Sequence, residues 1–235
     1  MEKQISTETR EKKVLSMVFL TISLCILANN FLSFINTVIR PGTTGNIIFI
    51  GAFTLSNIII AISAVILAAV LTIKCRGVFS IIGGIFLAIA TLMNLVNASF
   101  AHAFTLSLPS LLEFLIGNNI IEDPATLFMF YEITGFVSII VNFLCLVAYI
   151  LLAVGTRTSK IFKTTIVATG TIFLFMTVAN NYIIPVIFST LLGTGTPVIY
   201  YHIYDALVSA IQIVIIAICI FEYISANRQA KSCQE

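Results

Sequence analysis

Six runs of apolar residues constrain this chain more than any other feature, because each exceeds the roughly 20 helical residues that cross a bilayer's hydrocarbon core. They cover about residues 14–39, 46–73, 77–105, 127–155, 162–191 and 197–224. Composition leaves no aqueous alternative: 59% of the 235 residues are hydrophobic, only 9% are charged, and the mean hydropathy is +1.10. A soluble domain of this length is about half apolar and roughly a quarter charged. Here too little polar surface exists to face water. The runs predict an all-α membrane protein, a six-transmembrane-helix bundle.

The distribution of basic residues decides both count and orientation. The segment before the first span holds Lys3, Arg10, Lys12 and Lys13, and Lys74 and Arg76 lie between the second and third. Arg157, Lys160 and Lys163 flank the fourth-to-fifth connection, and Arg228 and Lys231 follow the sixth span. With six spans these eleven fall on one side and Arg40 alone on the other. The positive-inside rule then places both termini in the cytoplasm. A cytoplasmic tail is expected over 1–13, the transmembrane domain over 14–224 and a second tail over 225–235. The first apolar run has no A-x-A-type site, so it reads as a span and not as a cleavable leader.

A seventh stretch, 106–121, is only 16 residues long, begins near Pro109 and contains Glu113. Its length predicts a short interfacial or re-entrant helix between the third and fourth spans. Counting it as a span would move Arg157, Lys160, Lys163 and the C-terminal tail to the outer side.

The spans can also be read as three related helical hairpins. The first carries Ala28-Asn29-Asn30-Phe31 and the fifth Ala179-Asn180-Asn181-Tyr182, each before a Gly/Thr-rich connection. The third has Asn94 and Asn97 in the same zone. The return spans carry Tyr131-Glu132 and Tyr204-Asp205. Such a triplication would place a site near the repeat axis.

Polar side chains inside hydrocarbon are costly, so they turn to the bundle interior or to water and often mark function. In the six-span topology Asn29, Asn30, Asn94, Asn97, His102, Asn180 and Asn181 all lie in outer halves. Asn57, Glu132, His202 and Asp205 join them, with Glu132 roughly 8 Å and Asp205 roughly 12 Å below the outer ends of their helices. Helical spacing puts His202, Asp205, Ser209 and Gln212 on one stripe, and Glu132, Gly135, Ser138 and Asn142 on another. The inner half holds little beyond Glu222, expected to reach the cytoplasmic interface. Asn57, Ala61, Ala64 and Ala68 form a small-residue stripe suited to close helix packing.

Two function classes follow. The stripes predict a transport or solute-binding membrane subunit with a polar cavity open to the outer side. Its ligand-binding residues would be Asn30, Asn97, Glu132, Asn181, Tyr201, His202 and Asp205. The carboxylates would hold a cation, a proton or the amine of a solute, and the asparagines would supply neutral hydrogen bonds. The alternative is an accessory subunit of a respiratory or metal-dependent oxidase-like complex. There His102, His202 and Asp205 would bind a divalent metal, the two histidines would hold a haem, or the chain would only pack against a catalytic partner. No cofactor is demanded by any motif.

H-E-x-x-H, G-x-S-x-G and Walker A patterns do not occur, so the chain does not read as an enzyme on its own. The basic residues form no single patch, which excludes a nucleic-acid surface. Expected partners are the lipid bilayer and either a membrane-protein partner or a second copy of the chain. The cysteines Cys25, Cys75, Cys145, Cys219 and Cys233 show no paired spacing and predict no disulfide framework. The general plan resembles that of small six-helix solute-binding membrane components. No motif carries that likeness, so no residue role follows from it.

Overall fold

The computed structural model describes residues 2–39, 43–74, 77–117, 125–191 and 198–232. Every element among them is helical: α1 (Glu2–Ile39), α2 (Thr43–Lys74), α3 (Val78–Gly117), α4 (Ala125–Gly155), α5 (Lys160–Val178), a π-helical turn (Ala179–Ile183), α6 (Ile184–Leu191) and α7 (Val198–Ser232). Six stretches are long and apolar enough to cross a membrane: Thr9–Ile35, Ile48–Ile73, Val78–Ser99, Glu132–Gly155, Lys160–Phe188 and Ile203–Ala230. The fifth comprises α5, the π turn and most of α6. The expected six-helix bundle is the architecture.

Neighbours in sequence are neighbours in space. α1 packs on α2, α2 on α3, α3 on α4 and α4 on α5, and α7 lies along α1 to bring the chain round into a ring. The closing seam between α5 and α7 is far smaller than the others among the described residues. The three sequence hairpins therefore do not pack alike, since the arms of the third barely meet.

Helix α3 is wedged in place by adjacent glycines. A helix turns 100° per residue, so Gly83 and Gly84 serve different neighbours. A Cβ on Gly83 would lie 3.0 Å from the Leu152 nitrogen and 3.1 Å from the Ala148 carbonyl oxygen of α4. One on Gly84 would lie 3.2 Å from the Ala68 Cα of α2. Small residues at such crossings let backbones approach and gain dispersion energy where lipid offers no hydrophobic drive. The expected small stripe of α2 does face inward: Asn57, Ala61 and Ala64 are buried, and Ala68 meets Gly84.

The apolar core is densest towards the end that carries the termini. Leu15, Leu67, Leu71, Leu87, Leu152 and Phe162 are all but completely buried there. Phe19 links the layer, with its ring centroid 5.4 Å from Tyr149 and 5.6 Å edge-on from Phe162. Large apolar side chains such as Phe31, Ile62, Ile66, Phe143, Phe175 and Phe221 point outward, as a lipid-facing surface requires.

Both helical termini lie at one end of the bundle, where Lys12 Nζ donates to Gln229 Oε1 at 3.4 Å. The same end holds Gly77 against Gly155 and the start of α5 against Glu222. Helices α1 and α7 run on through positions 13 and 225 without a break. The 106–121 segment also differs from expectation. Its first part is helical, yet α3 continues unbroken through Pro109 to Gly117 instead of giving way to a separate short helix. Residues 118–121 lie outside the described residues. One proline removes a single in-helix hydrogen bond, which a 40-residue helix tolerates.

Candidate functional site

The asparagines of the halves remote from the termini gather at one level. Counted from the ends of their spans on the basic side, Asn30, Asn57, Asn94, Asn97, Ser138, Thr177 and Ser209 stand roughly 16–21 residues along, or about 24–32 Å. At that level they join the ring. Asn30 Nδ2 donates to Ser209 Oγ at 3.3 Å, tying α1 to α7. Asn94 Nδ2 donates to Asn57 Oδ1 at 3.3 Å, tying α3 to α2. Asn97 Nδ2 donates to the Thr134 carbonyl at 3.2 Å and to Ser138 Oγ at 3.1 Å, tying α3 to α4. Asn142 Nδ2 donates to Thr177 Oγ1 at 3.1 Å, tying α4 to α5.

The hydroxyl acceptors are prepared by their own helices. Ser209 Oγ donates to the Asp205 carbonyl at 2.7 Å and Ser138 Oγ to the Thr134 carbonyl at 2.9 Å. With its one proton committed, each hydroxyl turns lone pairs towards the asparagine amide. Interhelical bonds of this kind contribute about 0.6–2 kcal/mol each in membranes.

The residues predicted as ligands occupy distinct settings. Asn30 and Asn97 sit in the interhelical bonds just described. Asn181 lies on the π turn opposite Gly135, where a Cβ would come within 3.6 Å of its Cγ. Gly135, Ser138 and Asn142, three of the four residues of the stripe expected on α4, meet the π turn, α3 and α5 in turn. Asp205 is half-buried one turn above Ser209. Glu132 is exposed at the end of its span remote from the termini. Tyr201 and His202 fall on α7 and His102 on α3, but their side chains lie outside the described residues. The metal set His102/His202/Asp205 and the two-histidine haem site therefore lie outside them too. Among the described residues no three His, Cys, Asp or Glu side chains cluster as a metal site.

The π turn has a local cause. Pro185 has no N–H to return to the Asn181 carbonyl, and its ring crowds that carbonyl. The chain widens by one residue, and the Ile184 N–H bonds back to Ala179 O. Such bulges often accompany functional positions. Here the widened turn carries Asn180 and Asn181, and Asn180 Oδ1 is buried without a hydrogen-bond partner. Asn29, next to Asn30 on α1, has the same open acceptor.

At the opposite end Glu222 is buried instead of reaching the interface, at 3% exposure. Its Oε1 accepts the Ser159 N–H at 2.9 Å, while Ser159 Oγ caps α5 by accepting the Phe162 N–H at 3.2 Å. A carboxylate set against a helix N-terminus meets the positive end of its dipole. Spacing on one helix could not reveal this, because the partner is a backbone amide 63 residues away in sequence.

Together these features define an integral multi-pass membrane protein whose polar side chains cross-link the bundle at one level. No protein-family model, curated protein or solved structure matches the chain.

Proposed function

We propose that this protein is a transport or solute-binding subunit of the cell membrane, with cytoplasmic termini and a polar site in the outer half of the bundle. The site comprises Asn30, Asn97, Glu132, Asn181, Tyr201, His202 and Asp205, to which Asn29 and Asn180 are added. One observation carries the reading: the buried carbonyl oxygens of Asn29 and Asn180 have no donor, although Asn30, next to Asn29, is bonded across helices to Ser209. An unmet acceptor in a low-dielectric interior costs about 1–3 kcal/mol, and a solute bearing N–H or O–H groups removes that cost.

The charge balance favours a cationic solute. In the six-span order eleven of the twelve basic residues flank the spans on the side of the termini, whereas Glu132 and Asp205 belong to the opposite half. Their field would concentrate an organic amine at the outer mouth. The apolar outer surface meets lipid and, in a larger assembly, a membrane-protein partner or a second copy. Thermal melting of the purified protein with small organic amines and matched neutral polyols tests the proposal. Amines are expected to raise Tm, and Asp205→Asn and Asn180→Leu each to abolish the rise while folding normally. Equal melting with amines and polyols would refute it. A Soret band or stoichiometric metal in the purified protein would move the assignment to an oxidase-like accessory subunit.

A further inference from the structure

Gln212 is the most anomalous polar residue among the described residues. It lies near the middle of the span Ile203–Ala230 and is 1% exposed, yet neither Oε1 nor Nε2 has a hydrogen-bond partner. A primary amide left so in hydrocarbon loses several kcal/mol relative to water. It faces a small cavity enclosed by α1, α4, α5 and α7, whose walls include Phe19, Ser23, Tyr149 and Thr169. Ser23 and Thr169 are themselves buried, at 2% and 6% exposure. The cavity volume is about 10 Å³, close to the least that holds one water.

We infer that one water molecule occupies this cavity and is hydrogen-bonded to the Gln212 amide and to the hydroxyls of Ser23 and Thr169. Empty cavities in proteins are lined by apolar groups, whereas polar ones with two to four partners hold water. This one supplies an amide with both a donor and an acceptor, flanked by two hydroxyls. Its lining residues carry no formal charge, so a bare cation would lose its hydration without a compensating anion. The water joins three helices at once. It spans the narrow seam where α5 and α7 barely touch directly, so it serves as a wet joint between them. The inference is independent of the solute site above.

Radiolytic hydroxyl labelling of the full chain in H2(18)O tests it, because radicals form at bound water and oxidise the side chains beside it. Phe19 lines the cavity and Phe162 does not, although both are buried, at 4% and 1% exposure. Phe19 and Tyr149 are expected to take up label several-fold faster than Phe162 in the native protein. In Gln212→Leu their labelling is expected to fall to the Phe162 level, with Tm unchanged or lower. Equal labelling of Phe19 and Phe162 in the native protein, or undiminished labelling in Gln212→Leu, would overturn the inference. So would a Gln212→Leu protein that melts several degrees higher, since a dry cavity gains when its unpaired amide is removed. Should Gln212→Leu fail to fold, the comparison of Phe19 with Phe162 in the native protein still decides.

Discussion

Replacing Glu222 isolates the joint that holds the start of α5 against α7. In Glu222→Ala the Ser159 N–H loses a charge-assisted partner at 2.9 Å in a setting that admits little water. Such a bond contributes about 1.5–3 kcal/mol, and the lost charge at a helix N-terminus adds about 0.3–1 kcal/mol. Relief from burying a carboxylate offsets part of this, leaving a net loss of about 2–3 kcal/mol. For a chain of this size each kcal/mol moves Tm by about 2–4 °C, so a fall of about 4–12 °C is expected. Glu222→Gln keeps an acceptor oxygen and loses only the charge, so its fall should be about half as large. Ser159→Ala removes the side-chain cap but leaves the amide for Glu222, at a cost of about 1 kcal/mol. The chain has no tryptophan, which makes a thiol-reactive fluorophore the natural reporter. Buried Cys219, one turn from Glu222, becomes reactive as the bundle opens. If Glu222→Ala melts within a degree of the native protein, or indistinguishably from Glu222→Gln, the carboxylate does not hold α5 and the reasoning fails.

Two further perturbations probe the packing. Asn97→Leu deletes the α3–α4 bonds to Thr134 and Ser138 and is expected to destabilise the protein by about 1–2 kcal/mol. Asn97→Leu/Ser138→Ala should then cost little more than the single change, and additivity of the two in thermal melts would show that they do not interact. Gly83→Val drives a branched side chain into the Leu152 and Ala148 backbone, with an expected loss of about 1–3 kcal/mol or more. Unchanged Tm for Gly83→Val would contradict the close crossing of α3 and α4.

Much of the frame is legible in the sequence. Span length and hydropathy suffice for six helices because the bilayer fixes the length scale, and depth follows from residue count along a rigid helix. That is why Asn30, Asn94 and Asn97 stand at one level, as counting along their spans predicts. Partnership is not legible. A helical period gives the face that Asn97 or Asn142 presents but not which helix lies opposite, and the ring order decides that. Nor does the sequence disclose that α7 lies on α1 instead of on α5, since hairpin connectivity suggests the reverse. Glu222 departs from expectation because a lone carboxylate near an interface ordinarily reaches water, and only the tertiary fold brings the Ser159 amide to it. The continuity of α3 past Pro109 escapes sequence reasoning for a related cause: one proline weakens a helix without ending it. The π turn is latent in Pro185, whose missing N–H falls four residues after Asn181.

The unequal seams of the ring have a mechanical consequence. Five helix pairs share broad interfaces, and α3 is locked on both sides by Gly83 and Gly84, so α2, α3 and α4 move as one block. The work of separating two helices scales with the area uncovered, and α5 against α7 has least to uncover. The bundle therefore parts most readily at the α5–α7 seam, beside Gln212.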